Sequence, residues 1–175
     1  MAEIRKLGRT TDHRLAMLKN LATNVIWRGQ IITTEAKAKE VKSIVDSLIS
    51  LAIKEKDNFE KVTKKVSRAK IDPKTGAKVT AKATSKNGKE FSKVVREEVS
   101  VEVKKDNASR LAARRKIMAN INKVKDEDGN NVDLPGKMFD ELAEKYSERK
   151  GGYTKILKLG QRRGDAAEEV ILKLV

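Results

Sequence analysis

Cysteine is absent from the 175 residues. That excludes disulfides and thiolate metal sites and permits a cytosolic life. His13 is the one histidine, so a His-based triad or a His/Cys zinc site would need partners this chain does not have. No Gly-Lys-Ser/Thr phosphate loop occurs, and no Gly-x-Gly-x-x-Gly. Carboxylates are plentiful, but they sit among lysines on amphipathic helices and read as solvated faces and ion pairs. Aromatics make up 3% of the chain, too few for rows of rings that stack on single-stranded bases. Backbone and shape recognition of folded RNA or duplex is the better fit. No segment approaches the roughly 18 apolar residues of a membrane span, and no apolar run of signal-peptide length follows the charged start. These absences lead us to expect a soluble intracellular protein that is not an enzyme and has no cofactor, no metal, no membrane partner and no small-molecule substrate.

What the chain does have is positive charge. Forty Lys and Arg face 25 Asp and Glu, a formal +15. An excess of this size sets up a field that concentrates polyanions at the surface. Nucleic acid is the first candidate. An anionic membrane surface is the second, but no amphipathic helix carries bulky aromatics on its apolar face. A basic DNA-binding architectural protein shares the electrostatics, although neither a helix-turn-helix nor a dimerisation heptad is evident.

Along the chain, a basic irregular stretch from Ile4 to Arg14 leads into a helix to about Trp27, capped by Asp12. Its buried stripe is Leu18, Leu21, Ala22 and Val25, and Gly29 ends it. Gln30 to Thr33 is short and β-branched, hence a strand. Thr34 caps the next helix, Glu35 to about Lys54, in which Val41, Ile44, Val45, Leu48, Leu51 and Ala52 keep helical spacing. Residues 57–106 differ in kind. Counted from Lys54 to Asn107 there are 16 basic and 9 acidic residues, a net +7. Asp72-Pro73-Lys74-Thr75-Gly76 and Asn87-Gly88 are turn signals, and Val99, Val101 and Val103 alternate as in a strand. Phe59, Val62 and Val66 suit a short helix. The expectation is a protruding lysine-rich insertion, partly β-hairpin, in a core formed by 1–56 and 107–175. Regular structure resumes with a helix over Ala108 to Ile121, capped by Asp106 or Asn107, and a polar loop at Asp126–Asn131. A helix with Pro135 in its first turn then buries Met138, Phe139, Leu142, Ala143 and Tyr146. Strands over Tyr153–Leu159 and Glu169–Val175 should pair antiparallel. The sum is an α+β domain with one small mixed sheet packed with helices.

Candidate RNA-binding residues fall into three groups. Arg5, Lys6, Arg9, His13 and Arg14 form a basic arm running into a helix that also carries Lys19. Arginines there can fork onto phosphates, and the alternative is a solubilising tail. Six basic residues lie between 149 and 163 without one carboxylate: Arg149, Lys150, Lys155, Lys158, Arg162 and Arg163. Gly151-Gly152 lets backbone amides approach a phosphate, and Thr154 adds a hydroxyl. The bland reading of the glycines is a tight turn. Tyr153 can stack on a base or cover the core. Thr33-Thr34, with Lys37 and Lys39 close by, is the third group; a strand end plus a helix cap would account for it equally.

These positions also carry a resemblance. Arg5-Lys6-Leu7-Gly8-Arg9 and His13-Arg14-Leu15-Ala16-Met17-Leu18-Lys19-Asn20-Leu21-Ala22 come first. Ile31-Ile32-Thr33-Thr34-Glu35-Ala36-Lys37-Ala38-Lys39-Glu40 and Leu48-Ile49-Ser50-Leu51-Ala52 follow. Arg149-Lys150-Gly151-Gly152-Tyr153-Thr154-Lys155-Ile156-Leu157-Lys158 and Arg162-Arg163-Gly164-Asp165-Ala166-Ala167 complete the series. In this order they resemble the L-seventeen family of bacterial large-subunit ribosomal proteins, over roughly two-thirds of the chain. The resemblance implies an α-β-α-α-α-β-β core bound to large-subunit ribosomal RNA near the rim of the polypeptide exit tunnel. It also implies a monomer within the cytoplasmic ribosome, neighbouring ribosomal proteins as partners, and no catalytic activity. Three features depart from the family pattern. The N-terminal arm is shorter, Lys155 stands where the motif has arginine, and residues 57–107 have no counterpart in short members.

Overall fold

The computed structural model describes residues 5–73 and 75–175. Ile4 of the basic arm and Lys74 of the first turn signal lie outside the described residues. The chain separates into two units, Met1–Asn58 with Asp106–Val175, and Phe59–Lys105.

In the first unit, α1 (Thr11–Arg28) buries Leu18, Ala22, Thr23, Val25 and Ile26. It stops at Gly29, whose φ of 81° is the left-handed conformation that lets its N–H bond back to the Val25 carbonyl. Asp12 lies in the first turn and Thr10 occupies the cap position, without a side-chain capping bond. β1 (Gln30–Thr34) leads directly into α2 (Glu35–Glu55), which buries Ala38, Val41, Val45, Leu48, Ile49 and Ala52. α3 (Ala108–Asn120) follows the second unit and buries Arg110, Ala113 and Ile117.

In the second unit, β2 (Phe59–Ala69) pairs with β5 (Arg96–Asp106), and β3 (Thr80–Thr84) pairs antiparallel with β4 (Glu90–Val94). The short helix expected from Phe59, Val62 and Val66 is therefore a strand. Valines spaced by four fit one face of either element, and the strand wins because a partner is supplied some 40 residues later. Lys70, Val79 and Val95 close a three-way junction in which each N–H donates to the next carbonyl, all at 2.9 Å.

Back in the first unit, the loop after α3 closes into a two-residue ladder, β6 (Val124–Lys125) with β7 (Asn131–Val132). α4 (Leu134–Lys137) is capped by the Asp133 carboxylate, which accepts from the Gly136 N–H at 3.1 Å. A π-helical turn (Met138–Leu142) and α5 (Ala143–Lys145) continue it, burying Met138, Phe139, Leu142 and Ala143. β8 (Thr154–Gln161) and β9 (Glu168–Leu174) complete a sheet of order β1-β9-β8. Counting residues 134–145 as one interrupted helix, the core runs α-β-α-α-α-β-β. Both strand pairings in the sheet are antiparallel, so the expected mixed sheet is corrected to an antiparallel one: central β9 runs opposite to both neighbours. Leu172 and Val170 of β9 are buried, on the face against which α1 and α2 pack.

Candidate nucleic-acid interface

Strand alternation decides which side chains of the sheet remain free. Thr154, Ile156 and Lys158 share the inner face with Val170, Leu172 and Leu174, and Gln30, Lys155 and Lys173 lie on the other. The register sets Lys173 of β9 directly between Gln30 of β1 and Lys155 of β8. Like charges opposed across a ladder are destabilising, and among the described residues neither lysine has an ion-pair partner. Arg149 and Lys150 are exposed in the turn that precedes β8. Gly151 and Gly152 in that turn have φ of 150° and 64°, and a Cβ at either would meet nothing within 4 Å. Backbone amides there are open to an anion, and only the φ values demand glycine.

The motif's two polar side chains turn inward. The Tyr153 hydroxyl donates to the Arg149 carbonyl at 3.2 Å, and its ring lies 5.5 Å from that of Tyr146. The Thr154 hydroxyl donates to Asp46 Oδ1 of α2 at 3.0 Å. Both residues are buried. Of the two readings of Tyr153, the one observed is the core position; these side chains hold the basic turn onto the domain.

At the other end of β8, the sequence-distant groups meet around the start of α2. Glu35 bonds Lys39 at 3.0 Å and lies 3.7 Å from Lys158. Those lysines, Lys39 first, hold its carboxyl below the usual carboxylate range. Arg5 reaches Glu40 of the same helix at 2.9 Å. Thr34 lies opposite Glu169, and Glu169 is 3.8 Å from Arg162. Arg162 in turn grips Asp165 through two bonds of 2.9 and 2.6 Å. That guanidinium, with the Ala167 N–H, lowers the Asp165 pKa to about 2. Arg162 is thus committed to shaping its own turn, whereas Arg163 is exposed with no ion pair among the described residues. Thr34 sits at the cap position of α2 without a side-chain capping bond.

The arm is anchored. Leu7 packs on the core, and Leu7 and Gly8 adopt φ of 54° and 64° in a turn where the Arg9 N–H donates to the Lys6 carbonyl. Lys6, Arg9 and His13 are exposed, and Arg14 and Lys19 are half-buried. Arg14 Nε is buried without a hydrogen-bond partner among the described residues. A buried donor of this kind calls for an acceptor.

The ribosomal protein L17 family profile matches residues 17–175. The chain belongs to this family. It is 53% identical to the large ribosomal subunit protein bL17 of Acetivibrio thermocellus over 172 residues, covering 98% of each chain. Against the proteins of the same name it is 57% identical for Ruminiclostridium cellulolyticum, over 98% of each chain, and 48% for Lachnospira eligens, over 100% of each. As a ribosomal protein of this family it is a structural component rather than an enzyme. Among the described residues, no cluster of His, Cys, Asp or Glu could hold a metal ion and no helix is long and apolar enough to cross a membrane.

Two basic residues in this L17-family chain escaped the sequence reading. Lys173 becomes a neighbour of Lys155 only through the sheet register. Arg28 lies at the end of α1 with its guanidinium 4.9 Å from the Trp27 ring, next to Gly29, whose carbonyl accepts from Leu174. A cation preceding a helix-ending glycine was the available signal for Arg28; Lys173 left none.

Proposed function

We propose that this chain is a structural constituent of the bacterial large ribosomal subunit in the cytoplasm, and that it binds large-subunit ribosomal RNA through both ends of β8. One end comprises Arg149, Lys150, the Gly151-Gly152 amides, Lys155 and Lys173. The other comprises Arg5, Lys6, Arg9, His13, Arg14, Lys19, Thr33, Thr34, Lys37, Lys39, Lys158 and Arg163, with Arg162 holding the turn. Tyr153 and Thr154 serve by fixing the motif. The observation that carries this reading is the uncompensated Lys155–Lys173 pair. It is unfavourable in the free protein and becomes favourable once a phosphate lies over it. Arg14 Nε adds a buried donor that awaits an acceptor.

A site near the rim of the polypeptide exit tunnel, and contacts with neighbouring ribosomal proteins, follow from the family resemblance. Ile32 and Leu159, 65% and 53% exposed, suit a protein neighbour better than a phosphate. Sedimentation of lysate through rising salt tests the assignment. Stoichiometric association with large subunits at moderate salt supports it, and a protein found free or on the nucleoid refutes it.

A further inference from the structure

Charge in the second unit is unevenly divided. Within it, residues 59–69 and 96–105 of β2 and β5 carry seven basic and four acidic residues, a net +3, whereas residues 70–95 carry seven lysines against Asp72 and Glu90, a net +5. Lys70, Lys78, Lys82, Lys86, Lys89 and Lys93 are all exposed. Among the described residues none of the six has an ion-pair partner. Some cations of the first unit, by contrast, bond carboxylates, among them Arg5, Lys39, Arg110, Arg114, Lys158 and Arg162.

Phe91 lies in the middle of β4 amid these lysines. Of the six aromatic rings in the chain it is the exposed one, at 50%. Its partner across the ladder is Ala83, and the next residue on that face of β3 is Ala81, opposite Lys93. Two methyl groups cannot cover a phenyl ring, so its surface stays open beside Lys93. The hairpin turn adds Lys86 and Lys89 on a tight loop, in which the Ser85 N–H donates to Lys89 at 2.8 Å and Gly88 takes φ of 72°. An open ring flanked by uncompensated cations is the arrangement that holds an unpaired nucleotide, the base on the ring and phosphates on the ammonium groups.

We propose that the β3–β4 hairpin is a second RNA-binding site, in which Phe91 stacks on an unpaired base while Lys86, Lys89 and Lys93 neutralise the flanking phosphates. This rests on the reading of the chain as a ribosomal RNA binder and adds a contact of a different kind, to a single-stranded or bulged stretch.

The test uses the full chain and protein-free large-subunit RNA, with affinity measured across a salt series and protected nucleotides mapped by footprinting. Replacing Lys86, Lys89 and Lys93 together with Gln should lower the slope of log K against log salt by about 2, at roughly 0.7 per unpaired-strand phosphate. It should also erase one set of protections while leaving those lost in a Lys155→Gln/Lys173→Gln variant. Phe91→Val keeps a strand-forming residue and removes the stacking face; it should weaken binding about tenfold, with Phe91→Tyr within twofold of the parent. An unchanged slope and footprint in the lysine variant would show a solvated surface and overturn the proposal. Equal loss in the Val and Tyr variants would make Phe91 a packing residue and overturn its role in stacking. Failure of the parent protein to bind would instead refute the ribosomal RNA reading itself, and a Lys155→Gln/Lys173→Gln variant that changes nothing would refute the sheet-face contact alone.

Discussion

Lys155 and Lys173 face each other across the β8–β9 ladder with no carboxylate bonded to either among the described residues. Their repulsion burdens the free protein and is relieved only when an anion joins them. Lys173→Gln should therefore raise the melting temperature of the isolated protein by roughly 1–3 °C and at the same time weaken its binding to ribosomal RNA. Calorimetry and a binding titration on one sample check both signs. A variant that melts lower and binds as before would contradict the account.

The Thr154 hydroxyl, buried, donates to Asp46 Oδ1. Thr154→Val keeps the shape and strips the carboxylate of that donor, and should destabilise the fold by about 1–2 kcal/mol in urea unfolding. Pairing it with Asp46→Asn in a double-mutant cycle should give a coupling of similar order. Purely additive effects would mean that the bond does not hold the basic turn.

Arg110 is a buried cation, 1% exposed. Its guanidinium lies 4.8 Å from the Phe139 ring, 2.9 Å from the Lys56 carbonyl and 3.1 Å from Asp106. It thereby fixes the place where the chain leaves and re-enters the core unit. Beside it, Asn107 bonds Asn58 at 2.8 Å and Ser109 bonds Glu55 at 2.9 Å. Arg110→Met should cost about 2–4 kcal/mol, and Arg110→Lys should recover less than half of that, because an ammonium cannot fork to two acceptors and cover a ring together. Full rescue by lysine, read from the urea midpoint, would show that charge alone matters.

Asp165 titrates near 2 in the folded protein instead of 3.8. A depressed carboxylate contributes stability above its unfolded pKa and loses it as pH falls through the folded value. The Arg162–Asp165 turn should accordingly stay intact to about pH 4 and open between 3.8 and 2. A carboxyl carbon titration by NMR follows it directly, and a midpoint at the model-peptide value would show that the bidentate contact does not form in solution.

The helices were legible in the sequence because each writes its own period: Val41, Val45, Leu48 and Ala52 are spaced for one face of α2 and are buried there. The α-β-α-α-α-β-β order followed from the motifs. What was not legible depends on residues far apart in the chain. The sequence leaves a short helix open at the start of β2 because the partner strand begins only at Arg96. Thr154 reads as a ligand contact in the sequence because Asp46, which holds it inside, lies 108 residues away. Lys173 was invisible for a subtler reason. β8 shifts register between Lys158 and Gly160. Continuing the pairing of Gly160 with Glu169 without that bulge would set Lys155 against Leu174. One extra residue thus brings two lysines together on the open face.

A salt series shows whether this open basic face contacts ribosomal RNA. The full chain and an Arg149→Gln/Lys150→Gln/Lys155→Gln variant are titrated with large-subunit RNA from low to moderate ionic strength. Loss of three duplex phosphate contacts should reduce the slope of log K against log salt by about 2.7 and weaken binding most at low salt. Identical slopes and affinities for the two proteins would place RNA elsewhere on the surface.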